Sequence, residues 1–305
     1  MVKTYRELLD DMIGSMDRSS VENSDFDCAE LLGKVLGDDC RSDRYRKRLD
    51  DPCDGKLRDE FVSLCKRRVD GEPLQYLIGE WEFYGYPFKV GKGVLIPRQD
   101  TETLIDTTLK KFTDKSGLTI IDLCAGTGCI GIVLEKKLDC EKAFCVEKSE
   151  DAIAYLEKNI ELNNSSVEAV CADVLDENTL NKFPKADIIV SNPPYINSED
   201  MKNLQKEVRY EPEMALFGGE DGLDFYRTLT RIWKNKLKQG GMLMFEVGIS
   251  QEDDVMKILI QHGFENVRCR QDLCGVNRCV FGFKPFETDE IAVRVDYDKA
   301  VHKRT

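Results

Sequence analysis

The chain has 305 residues, 41% hydrophobic and 33% charged, enough for one large domain and a smaller one with ample core. It has no apolar stretch near the roughly 18 residues of a membrane span, and the start Met1-Val2-Lys3-Thr4-Tyr5-Arg6-Glu7 lacks the apolar segment of a secretion signal; a cytoplasmic protein with no membrane association is expected. The 44 basic and 57 acidic residues give a net charge of −13, which argues against a dedicated nucleic-acid binder, because such binding rests on Lys and Arg neutralising phosphates.

Residues 1–74 read as a small helical domain. Tyr5, Leu8, Leu9, Met12 and Ile13 recur at helical spacing, as do Ala29, Leu31, Leu32, Val35 and Leu36, and then Phe61, Val62, Leu64, Cys65 and Val69. Two basic clusters, Arg41 with Arg44, Arg46, Lys47 and Arg48, and Lys66-Arg67-Arg68, read as solvated helix faces rather than docking patches. The aromatic, glycine-marked stretch 75–97 alternates in part and predicts a β-hairpin linker. Asp100 to Phe112 begins a helix.

From Leu118 onward strands and helices alternate. Apolar runs at 118–123, 142–147, 167–171, 187–191 and 241–247 are separated by helical stretches such as 149–162, 223–237 and 250–262, and β-like runs close the pattern at 264–270 and 277–283. This predicts an α/β fold over 98–284, a doubly wound, Rossmann-like parallel sheet. The charged tail 285–305 is given no role. The twelve cysteines are expected as reduced thiols. None forms a Cys-x-x-Cys pair, and the five-residue spacing of Cys269, Cys274 and Cys279 fits no standard metal geometry, so no metal is expected. Cys124, Cys129, Cys145 and Cys171 read as small hydrophobes.

Two motifs carry chemistry. The strand Leu118–Leu123 runs into Cys124-Ala125-Gly126-Thr127-Gly128-Cys129-Ile130-Gly131, where glycines permit a tight turn and close approach of a ligand. Glu147 ends the next strand, 19 residues after Gly128, where a carboxylate can accept both hydroxyls of a ribose. Asp173, with Val174 beside it, follows the third strand and is placed to accept from an adenine amino group. Gly126 to Gly131 also matches the dinucleotide fingerprint G-x-G-x-x-G, and Glu147 lies where that fingerprint expects an acid, so an NAD-dependent oxidoreductase stays open as a rival. Asp122 would oppose a pyrophosphate there, but suits the cationic group of an amino acid.

The second motif is Asn192-Pro193-Pro194-Tyr195 at the end of the run Asp187–Ser191. Ligands collect outside the carboxyl ends of strands in open α/β sheets. Two prolines remove two backbone donors, so this turn presents carbonyl oxygens; Asn192 adds a side-chain acceptor and Tyr195 an aromatic face. That set suits a planar –NH2 group, an amide or an aryl amine.

With these residues in view, the chain resembles the peptide-release-factor glutamine methyltransferases over about Gly71 to Phe283. The resemblance rests on Glu72-Pro73-Leu74-Gln75-Tyr76 with Gly79; Leu95-Ile96-Pro97-Arg98 with Asp100-Thr101-Glu102; Asp122 to Gly128; and Asn192-Pro193-Pro194-Tyr195-Ile196. It continues through Val208-Arg209-Tyr210-Glu211-Pro212 with Ala215-Leu216 and Gly218-Gly219, and through Asp272-Leu273 with Gly275 and Arg278. Cys124-Ala125 departs from the small pair, such as Gly-Thr, usual in the family.

The resemblance implies a class I methyltransferase fold with S-adenosylmethionine as co-substrate. Asp122, Cys124, Ala125, Gly126, Thr127, Gly128, Glu147, Asp173, Val174 and Asn192 would hold this donor. It also implies as partner a class I peptide release factor, docked with help from the helical domain and methylated on the glutamine of its Gly-Gly-Gln motif. Asn192, Pro193, Pro194 and Tyr195 would hold that glutamine: Asn192 and the Pro193 carbonyl accepting its two N–H bonds, Tyr195 stacking on its plane. Other readings are a nucleic-acid amino-methyltransferase, which shares the Asn-Pro-Pro-Tyr turn, and a non-catalytic nucleotide-binding or docking protein.

Overall fold

The computed structural model describes residues 3–286, so the tail expectation for 285–305 falls almost wholly outside the described residues. The chain divides into two compact units. One comprises the chain up to Trp81, with Lys89–Lys92 and Leu204–Glu211; the other comprises Glu82–Phe88, Gly93–Asn203 and the chain from Pro212 onward.

The first unit is helical: α1 (Tyr5–Arg18), α2 (Ser24–Leu36), α3 (Asp43–Arg48), α4 (Gly55–Val69) and α5 (Leu74–Ile78). Thr4 caps α1 by accepting from the Glu7 N–H while the Glu7 carboxylate accepts from the Thr4 N–H, a reciprocal arrangement that satisfies two orphan donors. Asp54 caps α4 through the N–H groups of Lys56 and Leu57. Tyr5, Leu8, Met16, Leu31, Leu32, Phe61 and Leu64 build a core of the unit's own. The four arginines of the basic cluster after Asp39 are ion-paired locally: Arg41 with Asp39, Arg46 with Asp43, and Arg44 and Arg48 both with Asp38. Of the second cluster, Arg67 pairs with Glu72, and Arg68 is buried between Asp27 and Glu207.

The hairpin is shorter than its sequence stretch. Leu74–Ile78 forms α5, and only β1 (Glu80–Phe83) and β2 (Tyr86–Lys89) make the two-stranded sheet. The run Leu95-Ile96-Pro97-Arg98 is irregular backbone, with Pro97 unable to donate to a ladder.

The second unit contains α6 (Glu102–Phe112), β3 (Leu118–Leu123), α7 (Cys129–Lys137), β4 (Cys140–Glu147), α8 (Glu150–Leu162), β5 (Glu168–Cys171) and β6 (Ala186–Ser191). It continues with α9 (Asp224–Trp233), β7 (Leu237–Glu246), α10 (Glu252–Gln261), β8 (Glu265–Gln271) and β9 (Asn277–Phe283). The seven strands lie in the order β5-β4-β3-β6-β7-β9-β8. The first five are parallel, and β9 runs antiparallel to both β7 and β8.

All six residues of β3 are buried, as a strand covered on both faces requires. Alternate residues feed two cores. Ile120 packs with Leu104, Ile105, Ile132 and Val133 from α6 and α7; Ile121 packs with Tyr226, Leu229, Trp233, Val255 and Leu259 from α9 and α10. The doubly wound α/β sheet is therefore as the strand–helix alternation predicts. The antiparallel β9 between β7 and β8 departs from the dinucleotide order, in which six strands follow one another in parallel. Among the described residues no helix is long and apolar enough to cross a membrane.

Candidate active site

The sheet reverses its winding between β3 and β6, and such a reversal opens a crevice at the strands' carboxyl ends. Leu123 and Ser191 are paired in register as the last residues of those two strands. The loops that follow, Cys124–Gly128 and Asn192–Tyr195, therefore leave the sheet side by side. The Ser191 hydroxyl donates to the Leu123 carbonyl at 2.7 Å and ties them together.

The first loop is tightly folded. Ala125 N–H donates to the Val146 carbonyl of β4 at 3.1 Å, and Gly128 N–H closes a turn on the Ala125 carbonyl at 2.8 Å. Buried Asn159 of α8 donates to the Thr127 carbonyl at 3.0 Å. Gly128 enters α7 at φ +79°, a left-handed value that glycine adopts without strain. Cys124 holds φ +57° with a Cβ, a conformation uncommon outside glycine that persists where surroundings over-determine it. Burial pushes its thiol well above the ordinary range.

Glu147 ends β4 and is held by backbone donors. Its Oε2 accepts from the Gly126 N–H at 2.9 Å, and its Oε1 from the N–H groups of Lys148 and Ser149 at 2.8 Å each. Asp173 accepts from the Leu175 N–H at 2.9 Å and from Lys148 Nζ at 2.8 Å. Burial works to raise its pKa, but these donors together hold it below the usual carboxylate range.

A cavity of about 550 Å³ opens over these loops, within the range of small-molecule sites. Of the residues expected to bind a donor, Cys124, Ala125, Gly126, Thr127, Glu147, Asp173, Val174 and Asn192 stand on its wall, and so does Pro194. Gly128, Pro193 and Tyr195 do not, and neither does Asp122, which is fully buried. The Asp122 Oδ2 accepts from the Gly131 N–H of α7 at 2.9 Å, and its Oδ1 has no partner. It braces the helix from beneath the loop instead of facing the cavity. Cys171, read as a small hydrophobe, is exposed at the end of edge strand β5.

Sequence reasoning missed several members of the wall: Val94 and Ile96 from the stretch after the hairpin, Thr101 from the single helical turn Gln99–Thr101, and Met214 and Phe217 from the segment after Pro212. Phe217 is brought in by a short parallel bridge between Ile196 and Phe217, with Ile196 N–H donating to the Leu216 carbonyl at 2.8 Å. Gly218 has to be small here, because a Cβ would lie 2.7 Å from both the Pro194 carbonyl oxygen and the Tyr195 Cα. Beneath the turn stands Glu246, the last residue of β7 and 2% exposed. Its Oε2 accepts from the Thr101 hydroxyl at 2.5 Å, its Oε1 lies 3.5 Å from the Tyr195 hydroxyl, and its backbone carbonyl accepts from Tyr226 at 2.9 Å. Burial raises its carboxyl to about 7, against the lowering effect of Thr101 and Arg278.

The reversal point, a glycine loop closed on an acidic strand end, and an acceptor-rich turn on the neighbouring strand define a methyltransferase of the doubly wound α/β class. The comparisons agree: a methyltransferase small domain model matches residues 99–214, and a PrmC N-terminal domain model matches residues 7–79. A solved methyltransferase from Pyrococcus furiosus shares the fold, with 20% identity and a TM-score of 0.50 over 67% of this chain and 91% of that one.

The particular family follows from whole-length relatives. The release factor glutamine methyltransferase of Geobacter sulfurreducens is 37% identical over 92% of this chain and 96% of its own. That of Clostridium botulinum is 34% identical over 90% and 97%. The chain belongs to the release factor glutamine methyltransferase family and is an enzyme; the NAD-dependent reading falls with that finding.

Proposed function

We propose that this enzyme methylates the side-chain amide nitrogen of the glutamine in the Gly-Gly-Gln motif of class I peptide release factors, with S-adenosylmethionine as the methyl donor. The cavity chemistry suits that donor. Glu147, pinned by three backbone N–H groups, presents a fixed carboxylate for ribose hydroxyls. Asp173 offers an acceptor for the adenine amino group, and Val94, Ile96 and Val174 supply apolar wall. Asp122 is left out of this set by its burial; it keeps α7 and the loop in place.

When bound, the donor supplies an electrophilic methyl on a sulfonium. The amide nitrogen forms the new N–C bond as the methyl–sulfur bond breaks. The bonding pair stays with sulfur, giving S-adenosylhomocysteine, and one N–H proton passes to water. An amide nitrogen is a poor nucleophile because its lone pair is delocalised, and the residues of the turn address that. The Asn192 Oδ1 and the Pro193 carbonyl accept the two N–H bonds, and the Tyr195 ring, packed against the sheet core, fixes the amide plane. Such hydrogen bonds contribute only about 1 kcal/mol each. Positioning of the two reactants can be worth roughly 7–11 kcal/mol and carries most of the effect. No base is needed beforehand, because the N-methylated centre is strongly acidic.

The observation that carries this reading is the juxtaposition of Glu147 and Asn192 on one cavity wall, within a chain of this family. A nucleic-acid amine would use the same turn, but the net charge of −13 and the internally paired arginines of the helical unit give such a polymer little to hold. Mass spectrometry of a class I release factor incubated with the protein and S-adenosylmethionine tests it. One methyl on the Gly-Gly-Gln glutamine is expected, and Asn192→Ala is expected to lose at least a hundredfold in turnover with its fold intact. An unmodified glutamine, with donor binding verified, would overturn the substrate assignment.

A further inference from the structure

Asn192 can serve as an acceptor only in one of its two amide orientations. Flipped by 180°, it would point an –NH2 at the substrate –NH2, donor against donor. Something has to fix the flip.

We propose that Thr101 and Glu246 are positioning residues that lock the Asn192 amide with its oxygen toward the substrate. The inference rests on the amide-methylation reading above. Asn192 Nδ2 lies 3.4 Å from the Thr101 hydroxyl, and that hydroxyl donates at 2.5 Å to Glu246 Oε2. Thr101 and Glu246 are each 2% exposed, so water does not compete for either. A hydroxyl has one proton. When Glu246 is ionised it can only accept, so the Thr101 proton goes to it, only lone pairs face Asn192, and only an N–H can meet them. The polarity of the chain therefore runs one way: Asn192 donates to Thr101, Thr101 donates to Glu246, and the Asn192 Oδ1 is left for the cavity, on whose wall the residue stands.

The strand register places these groups. Phe245 is opposite Ser191 on neighbouring strands, so the next residue on each, Glu246 and Asn192, leave the sheet at the same level. Thr101 arrives from the single turn Gln99–Thr101 that precedes α6. The same carboxylate lies within reach of the Tyr195 hydroxyl, so one buried group sets both the amide flip and the ring of the turn.

The test uses the full-length protein with Thr101→Val, which removes the hydroxyl at constant shape, and Thr101→Ser, which restores it. In 15N NMR the Asn192 side-chain –NH2 pair, assigned by its disappearance in Asn192→Asp, is expected to be protected from solvent exchange in wild type and in Thr101→Ser, and to exchange freely in Thr101→Val. In the release-factor assay, Thr101→Val is expected to lower kcat at least tenfold while KM for the donor stays within threefold, and Thr101→Ser to return most of the loss. The preference for binding a release factor with glutamine over one with glutamate in that position is expected to fall in parallel, because a freely flipping amide can donate to a carboxylate. Unchanged protection in Thr101→Val, or a kcat loss that leaves the glutamine–glutamate preference untouched, would overturn the proposal. If the wild-type protein transfers no methyl to the release factor, the functional reading fails, while the exchange measurement still decides whether the lock exists.

Discussion

Asp122 shows how a residue can be legible as important and misplaced as to role. Its position before the glycine loop reads as a ligand contact, yet the carboxylate is sealed beneath the loop, facing Gly131, the Cys145 thiol at 3.7 Å and, further off, the charge of Glu147. Burial pushes its carboxyl up to about 7, against the pull of the Gly131 N–H. In the unfolded chain the same group titrates near 3.9. Between those values the native state holds a proton that the unfolded state has released, so this group makes stability fall as pH rises from about 4 through 7, by at most about 1.4 kcal/mol per pH unit. Glu246, also raised to about 7, adds a slope of the same sign. Asp122→Asn removes one of the two groups. Urea unfolding at pH 5 and pH 8 should show the variant losing less stability across that interval than wild type; equal losses would mean that Asp122 is ionised throughout.

Among elements, the turn after β6 depends on a neighbour far along the chain. The Gln251 side chain, just before α10, donates to the Tyr195 carbonyl at 3.0 Å and to the Gly222 carbonyl at 3.4 Å, and accepts from the Gly248 N–H at 3.0 Å. It staples three loops at the carboxyl end of the sheet. Gln251→Leu keeps the bulk and leaves these partly buried groups unpaired, at a cost of about 1–3 kcal/mol. Thermal unfolding should report a lower Tm, and kcat should fall with it as the turn loosens; an unaltered Tm would show that water replaces the staple.

This long-range dependence marks where the sequence stops being legible. The strand 118–123 and the turn at Asn192 declare themselves locally, through an unbroken apolar run and paired prolines. The support beneath them does not: Thr101 and Glu246 are 145 positions apart, and Glu246 is hidden inside the apolar run 241–247, where an acid looks like the end of a strand. The segment after Pro212 is equally opaque, because nothing in its composition says that a one-residue bridge to Ile196 folds Phe217 against the cavity. Local pattern specifies elements, whereas register and loop return specify the site.

At the scale of the whole molecule, the cavity over the two loops is built entirely from one of the two compact units. The other unit has its own core and its own buried ion cluster. Arg68, 7% exposed in its side chain, donates to Asp27 at 2.5 Å and to Glu207 at 2.7 Å, fastening the segment Leu204–Glu211 to α2 and α4. Burial keeps the Asp27 carboxyl above its usual range even with Arg68 beside it, so the pair contributes little net stability, but breaking it strands a buried carboxylate at a cost of roughly 3–5 kcal/mol. Arg68→Ala should therefore destabilise the helical unit strongly in chemical denaturation. If that unit serves to engage the release factor, methylation should fall through a raised KM for the protein substrate, while calorimetric affinity for S-adenosylmethionine stays within twofold of wild type. A parallel loss of donor affinity would show instead that the helical unit's integrity shapes the cavity itself, and the division of labour between the two units would have to be abandoned.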